Sequence, residues 1–324
     1  MSLLPGSNIR VDNFEYMRND LTSYIFFLTH CHEDHLKGLT PSWNFGTIYA
    51  SESSKKLICD RYPNLNGLVK SLEMDQEHWI YCDAEKKEGV SVMFMDACHC
   101  PGAVMILLRG KFGTILHTGD FRFSTSMYDN PVFFPPELRN KEERGISIQV
   151  DSLFLDNTFA DPLYDFPSRE DAYKTMKEIV RNHKDFRVFV FGYLLGKEEV
   201  FVNLAKDFET LIVVDEDRYR KIELIDLHPE IFTTDPELGW IHVKSIKNLK
   251  NMCIEEANKE EPTIFLILTG WGDKYNSNLP FYFKAPYSSH SNHRELERFV
   301  KAIQPKSIVF TVPDRESNKR RLDW

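Results

Sequence analysis

The chain has 324 residues, of which 42% are hydrophobic and 13% aromatic, and its formal net charge is -9 at pH 7. This length and composition predict one large or two modest globular domains. The negative charge argues against a surface built for sequence-independent binding of nucleic acid. Any contact with nucleic acid must then be local and assisted by metal.

Other sequence features exclude a membrane span and a disulfide framework. The longest apolar runs, such as TIFLIL (263–268), fall short of the roughly 18 residues that a membrane helix needs. The first residues lack the basic and apolar segments of a signal peptide, so we expect the protein to stay inside the cell. Its six scattered cysteines favour reduced thiols.

Apolar, strand-like runs repeatedly end in polar turns that are rich in potential metal ligands. The runs are YIFFLTHCH (24–32), VSVMFMDACHCPG (90–102), FGTILHTGDF (112–121) and DSLFLDNTF (151–159). This arrangement predicts a layered α/β fold with a site at the rim of a sheet. We expect a short helix to begin at DHLKGL (34–39).

Between about 160 and 270 the pattern changes to that of a separate βαβ-type unit. It predicts helices over 168–182 and 197–208 and strands over 186–192 and 210–217. Next come a strand with ligand-type residues, FYFKAPYSSHS (281–291), a helix over 292–303 and a closing strand over 307–313. The proline-rich segment 130–145 is predicted to be a surface loop.

The segment HCHEDH (30–35) concentrates metal-ligand side chains. On an extended backbone His30 and His32 point the same way, while Asp34 and His35 reach round a turn toward a second position. A solvated polar turn and a structural zinc finger are the alternatives, but a zinc finger requires cysteine pairs. Cys98 and Cys100, on either side of His99, are expected to face away from that histidine by strand alternation.

This His-x-His-x-Asp-His segment resembles the signature of the metallo-β-lactamase fold. The remaining signatures follow in order, with Asp12 in IRVDNF, His99 in ACHCPGAVM and Asp120 in LHTGDFR. Further on, LFLDNTFADP (Asp156), GWIHV (His242) and PYSSHS (His290) resemble the three motifs of the β-CASP subgroup, whose members cut nucleic acids.

The phrases CHCPGAVM, LDNTFADP and PYSSHSNHRELERFV resemble those of the DNA cross-link repair nucleases, over about residues 9–304. The resemblance implies an α/β protein whose metallo-β-lactamase αββα sandwich comprises residues 1–158 and 275–324. An inserted β-CASP α/β domain would comprise residues 159–274. The active site is expected between the two domains.

The resemblance also implies a site for one or two zinc ions. Two ions about 3.5–4 Å apart activate a shared water for attack on phosphorus. Asp34 is further expected to accept a proton from that water, His242 to steady the phosphate or protonate the departing oxygen, and Asp12 to orient a ligand histidine. The predicted first-metal ligands are His30, His32 and His99, the second-metal ligands are Asp34, His35 and His290, and Asp120 bridges.

Within the family, GYLLGKEEVF (192–201) resembles the Apollo-like branch. The resemblance implies that Lys197 grips a 5′-terminal phosphate, in a pocket lined by Asp156, Thr158 and Ser288. A lysine at a helix start can bind phosphate through its ammonium group and the free backbone N–H groups. A solvated lysine at a helix start is the alternative.

The predicted function is a metal-dependent 5′-to-3′ DNA exonuclease that acts on 5′-phosphorylated ends in DNA repair or end processing. A structure-selective DNA endonuclease of the Artemis type and an RNA-processing β-CASP nuclease are the enzymatic alternatives. The non-enzymatic alternative is a protein that retains the fold only as a scaffold. The expected partner is a 5′-phosphorylated DNA single strand or duplex end, with no membrane, and we expect a monomer. The nuclear location is implied by the resemblance alone.

Overall fold

A computed structural model describes residues 2–15, 24–83, 88–125, 127, 148–192, 195–272 and 275–312. The chain forms two compact units: unit 1 is Met1–Leu163 with His290–Trp324, and unit 2 is Tyr164–Ser289. Unit 2 is thus inserted into unit 1. The proline-rich segment 130–145, predicted to be a surface loop, lies outside the described residues.

Unit 1 contains two sheets. The strands of the first follow chain order: β1 (Ser2–Leu3), β2 (Ile9–Val11), β3 (Ile25–Phe27), β4 (Ile48–Ala50) and β5 (Val69–Ser71). The strands of the second are β6 (Glu77–Asp83), β7 (Glu88–Asp96), β8 (Val104–Gly110), β9 (Gly113–His117), β10 (Ser152–Leu155) and β17 (Ser307–Phe310). Their order across the sheet is β17-β10-β9-β8-β7-β6.

The buried side chains of unit 1 define four layers. One cluster, which includes Val11, Phe27 and Phe94, fills the space between the two sheets. Helix α1 (Glu52–Arg61) packs against the other face of the first sheet, and helix α6 (His293–Ile303) packs against that of the second. The predicted αββα sandwich is therefore confirmed.

The strand directions in unit 1 gather the chain turns that carry ligand-type residues at one rim. Strands β2 and β3 are parallel, as are β9 and β10, so the carboxyl ends within each pair lie together. Strand β7 has the same direction as β9 because both are antiparallel to β8. The helix predicted at DHLKGL is wrong: residues 33–38 form consecutive turns, with His35 N–H donating to the His32 carbonyl.

Unit 2 is built on one parallel sheet with the order β13-β12-β14-β11-β15-β16. Helices cover both faces of this sheet, and an apolar cluster fills each interface. Burial of both faces is typical of parallel sheets. The strands are β11 (Arg187–Gly192), β12 (Ile212–Val213), β13 (Phe232–Thr233), β14 (Ile241–Ser245), β15 (Thr263–Leu268) and β16 (Tyr282–Ala285). The helices are α2 (Arg169–Arg181), α3 (Glu198–Phe208), α4 (Glu216–Leu224) and α5 (Ile254–Glu260).

The predicted domain boundaries differ from those of the units. The return to the first domain at residue 275 is too early, because β16 pairs with β15 and so belongs to the sheet of unit 2. Four short 3-10 helices complete the described secondary structure: Pro63–Leu65, Pro229–Ile231, Pro236–Leu238 and Ile246–Asn251. Among the described residues, every helix is too short or too polar to cross a membrane.

Candidate metal centre

Three histidines of unit 1 bring their ring nitrogens together at the rim. His32 Nδ1 lies 2.9 Å from His30 Nε2 and 3.1 Å from His99 Nε2. Ligands bound to one tetrahedral zinc ion at about 2.0–2.1 Å would be roughly 3.3 Å apart. The three nitrogens therefore match the predicted ligand set of one ion.

Asp120 places a single carboxylate oxygen among four histidines. Its Oδ2 lies 3.4 Å from His35 Nε2, 3.8 Å from both His30 Nε2 and His99 Nε2, and 3.9 Å from His290 Nε2. One oxygen thus faces both the first three-histidine group and the pair formed by His35 and His290. This is the position that a bridging ligand between two ions would occupy.

Asp12 is bonded to one histidine directly and to another through Thr29. Its Oδ2 accepts from His35 Nδ1 at 2.7 Å and from Thr29 Oγ1 at 2.7 Å, while Thr29 Oγ1 lies 3.0 Å from His30 Nδ1. Each histidine therefore turns its Nε2 toward Asp120. Asp12 is placed to orient one histidine of each predicted ion, and the link through Thr29 was missed by the sequence reasoning.

Asp156 has the same relation to His290. Its Oδ2 accepts from His290 Nδ1 at 2.8 Å, and its Oδ1 accepts from the Thr158 hydroxyl at 2.6 Å and from the Thr158 N–H at 3.0 Å. These contacts differ from the phosphate-binding role predicted for Asp156 and Thr158. A buried carboxylate would repel a phosphate, and Asp156 accepts its hydrogen bonds from His290, from the Phe121 N–H at 3.3 Å and from its own loop. The geometry supports an orienting role for Asp156.

The charges of the centre suit a cation. Burial, reinforced by the neighbouring His35 and His99, holds the pKa of His30 well below its usual range, so this ring is neutral and able to ligate. Burial alone would raise the pKa of Asp120, but His35 and His290 outweigh it and hold this pKa well below its usual range. Asp120 is therefore ionised at neutral pH.

Cys100 contradicts its predicted orientation. Its Sγ and the ligand nitrogens of His30, His32 and His99 all lie within 4.8 Å of one another. Strand alternation does not apply here, because β7 ends at Asp96 and Cys98 has a left-handed backbone with φ 52°. The thiol of Cys100 therefore faces the histidines.

Asp34 lies at the edge of the centre. Its side chain is 77% exposed, and its Oδ2 is 3.8 Å from His35 Nε2. Among the described residues, Asp34 belongs to none of the groups of donor atoms that lie within 4.8 Å of one another. Its predicted role of accepting a proton from the metal-bound water stays a prediction.

A second set of contacts holds Asp120 and His290 in place. The segment after Asp120 is bonded to the start of α6: Arg122 pairs with Glu295 at 2.8 Å, and Phe123 N–H donates to Ser291 Oγ at 2.8 Å. Gly119, just before Asp120, has φ +56°, and a Cβ there would lie 2.8 Å from Thr29 Cβ. Only glycine fits this close turn without displacement.

In unit 2, Lys197 lies where the sequence predicts a helix start. It is the N-cap of α3, with φ 70°, and its Nζ donates to the Leu268 carbonyl at 2.6 Å. Burial, together with the nearby Arg218 guanidinium, lowers the pKa of Lys197 to about 7. Lys197 is thus a buried group rather than a solvated one, and Ser288 of the same unit is also buried.

The structure separates His242 from Lys197 within unit 2. His242 is level with Phe189 near the amino end of β11, whereas Lys197 follows the carboxyl end of that strand. His242 lines a cleft of about 370 Å³ with Arg187 and Trp240. Burial, with Lys244 nearby, lowers the pKa of His242 to about 4, so the ring is neutral at pH 7. The catalytic role predicted for His242 stays a prediction.

The donors present fit zinc. Two further groups of donor atoms lie within 4.8 Å of one another, His30 with His35 and Asp120, and His99 with Asp120 and His290. Imidazole and carboxylate are the donors of catalytic zinc sites, and three protein ligands leave a position for water. The constellation therefore has the composition of a catalytic metal site with room for two ions.

Comparison with known proteins agrees with this composition. Residues 226–316 match the family described as "DNA repair metallo-beta-lactamase". The chain is 38% identical over 307 residues to a protein named 5' exonuclease Apollo from Danio rerio, covering 95% of this chain and 51% of the relative. It is 36% identical to the protein of that name from Gallus gallus, covering 95% of this chain and 62% of the relative.

A plant relative and a solved structure extend the comparison. The chain is 31% identical over 341 residues to DNA cross-link repair protein SNM1 from Arabidopsis thaliana, covering 98% of this chain and 66% of the relative. It thus spans about half to two thirds of the length of these relatives.

A crystal structure of a protein of unknown function from Enterococcus faecalis V583 matches with a TM-score of 0.58, at 14% identity, over 91% of this chain and 77% of that one. At this identity the likeness shows the fold alone. The resemblance read from the sequence motifs is confirmed by the matches to relatives. The chain belongs to the DNA repair metallo-beta-lactamase family.

Proposed function

We propose that the protein is a zinc-dependent 5′-to-3′ DNA exonuclease that acts on 5′-phosphorylated ends in DNA repair or end processing. The observation that carries this proposal is the position of Asp120 Oδ2, within 3.4–3.9 Å of four histidine nitrogens. Relatives named 5' exonuclease Apollo over 95% of the chain support the reaction and the substrate.

The proposed roles of the unit 1 residues in hydrolysis are metal binding, proton transfer and orientation of the ligand histidines. Zinc bound here would supply an activated water and neutralise charge on the phosphoryl oxygens. Asp34, exposed and close to His35, is the group proposed to accept the proton of that water. Asp12 and Asp156 keep His35 and His290 in the tautomer that presents Nε2. The proposed ligands are His30, His32, Asp34, His35, His99, Asp120 and His290.

Lys197 is the residue proposed to select a 5′-terminal phosphate. Lys197 is the N-cap of α3, where backbone N–H groups without helical partners also favour an anion. With a pKa of about 7, Lys197 gains charge when an anion binds, which strengthens the contact. Ser288 is the second residue proposed for this role, while Asp156 and Thr158 are assigned to His290.

A digestion of end-labelled DNA tests the proposal. We expect 5′-phosphorylated single strands to be shortened from the 5′ end at least about tenfold faster than 5′-hydroxyl strands, since a charged contact contributes roughly 1.5–3 kcal/mol. Chelation should abolish cleavage and added zinc should restore it. Equal rates on both ends would overturn the phosphate preference. Internal cuts would favour a structure-selective endonuclease. Preferential cleavage of RNA would favour an RNA-processing enzyme.

Loss of ligands tests the metal centre. The double variant His32→Ala with Asp34→Ala should remain folded and lose all detectable hydrolysis. The matched control is Asp60→Ala, which removes a carboxylate from helix α1. Undiminished hydrolysis by the double variant would assign the activity to a different site or to a contaminating enzyme, and would overturn the proposed metal centre.

We also propose a nuclear location and a monomeric state. The names of the DNA repair relatives support the first, since their substrate would be nuclear DNA. Imaging of a tagged chain tests the location, and light scattering during gel filtration tests the state. An exclusively cytoplasmic signal or a dimer mass would overturn the respective proposal.

A further inference from the structure

A buried ion pair lies directly beside Lys197. Glu198 and Arg218 are 3% and 2% exposed, and Arg218 Nη1 donates to Glu198 Oε1 at 3.0 Å. Both oxygens of Glu198 also accept from the Gly196 N–H, at 2.9 and 2.7 Å. The carboxylate thus joins helix α4, which carries Arg218, to the turn that precedes α3.

The turn that this carboxylate holds has an unfavourable backbone. Gly196 has φ +118°, which glycine tolerates, and Lys197 has φ 70°, in the left-handed region that is unfavourable for a residue with a side chain. This conformation places the Lys197 ammonium against the Leu268 carbonyl, 2.6 Å away. Without an anchor for Gly196, the turn would relax and the ammonium would move.

Arg218 opposes protonation of the Glu198 carboxylate. Burial raises the pKa of Glu198, and Arg218 is the strongest influence that opposes this rise. Helix α4 holds Arg218 in position, because its N-cap Asp215 accepts from the Arg218 N–H at 2.8 Å. The guanidinium also lies over the Phe201 ring of α3, 5.5 Å from its centroid.

We infer that Arg218 is a positioning residue for recognition of the 5′-terminal phosphate, because it holds Glu198 and, through it, the Gly196–Lys197 turn. This role rests on the proposed function of Lys197. It predicts that loss of Arg218 weakens the selection of phosphorylated ends and leaves the metal centre of unit 1 unchanged.

The test compares kinetics on matched 5′-phosphate and 5′-hydroxyl strands. For Arg218→Met we expect KM for the phosphorylated strand to rise about tenfold, the loss of one charged contact, with kcat within about twofold. Kinetics on the hydroxyl strand should not change. Arg218→Lys, which keeps the charge without the planar fork, should restore part of the preference. Arg220→Met, on the exposed side of the same helix, is the control.

A second variant guards against misfolding, since an unpaired buried carboxylate is strongly destabilising. Glu198→Gln with Arg218→Met removes both charges and should fold, as judged by circular dichroism, yet lose the phosphate preference. If wild type discriminates and this folded variant discriminates equally, the role of Arg218 is overturned while the proposed function stands. If wild type itself does not discriminate, the phosphate pocket and the role of Arg218 are both overturned.

Discussion

Two buried carboxylates, Asp12 and Asp156, are hydrogen-bonded to histidines of the metal centre. Each accepts a ring N–H and so fixes the tautomer of its histidine, at 2.7 Å for His35 and 2.8 Å for His290. A ligand oriented in this way is more basic and loses less conformational freedom when the metal binds. At the residue scale, metal affinity should therefore depend on side chains that need not touch the ion.

The substitution Asp12→Asn tests this dependence. We expect zinc affinity to fall about 10–100-fold, because an amide is a weaker acceptor for His35 and Thr29. Competition with a chromophoric chelator measures the affinity independently of hydrolysis. Asp185→Asn, an exposed aspartate of unit 2, should leave the affinity unchanged. An affinity equal to that of wild type would show that Asp12 does not support the centre.

Lys197 gives a stability that depends on pH. Burial and Arg218 lower its pKa in the folded protein from 10.5 to about 7, while the unfolded chain keeps the higher value. Between these values the unfolded state binds more protons, so wild-type stability rises with pH. Below pH 7 the full penalty of the buried ammonium is present.

Lys197→Met removes this penalty. The free energy of unfolding should exceed that of wild type by on the order of 2 kcal/mol below pH 7, and the difference should vanish toward pH 10. Urea denaturation at several pH values measures it. Lys206→Met, exposed on the same helix, should show no such trend. A difference that does not vary with pH would mean that Lys197 is not held in a low-polarity environment.

At the scale of elements, the start of helix α6 connects stability to the metal centre. Asn292 accepts from Glu295 N–H at 2.9 Å, and Glu295 returns a bond to the Asn292 N–H at 3.0 Å, which forms a capping box. Glu295 also pairs with Arg122, two residues after Asp120. The cap therefore holds both the helix and the approach to His290.

Asn292→Ala tests whether this cap supports the metal centre as well as the helix. Loss of an N-cap costs about 1 kcal/mol, so Asn292→Ala and Ser168→Ala, at the start of α2, should lower the melting temperature similarly. Only Asn292→Ala should also weaken zinc binding, because His290 lies two residues before it. Equal zinc affinities for the two variants would show that the cap does not position His290.

At the scale of the whole molecule, the net charge of -9 limits how the protein can hold DNA. Binding by a long basic groove releases one counterion for nearly every phosphate it contacts. A site that relies on a terminal phosphate and metal ions contacts few phosphates. The charge and the proposed function therefore agree on a short electrostatic footprint.

Salt dependence measures that footprint. For single strands, the slope of log kcat/KM against log salt should be shallower than about -2, which corresponds to three or fewer phosphates. Rates between low and moderate salt, at fixed zinc, supply the slope. A steep slope would require a basic groove and would contradict the proposed mode of binding.

The sequence predicted most of the fold because its strands and helices are locally marked. Ser168 and Asn292 were predicted as helix starts, and the helices begin at the next residue. Apolar runs predicted β7, β9 and β10. The orientation of Cys100 was wrong because alternation holds only in extended backbone, and the left-handed Cys98 interrupts it. The return at 275 was wrong because strand pairing, which joins β16 to β15, is not a local property.

By itself, the sequence determined the chemical class of the centre. A segment such as HCHEDH concentrates ligand-type side chains so closely that it favours metal binding over a solvated polar turn, whatever the surrounding fold. The tertiary structure decided the partners of the more distant residues. Asp156 orients His290 across 134 positions of sequence, and His242 lies at the other end of its sheet from Lys197. Such pairings depend on which strand ends meet, and the order of strands in a sheet is not encoded in any local spacing.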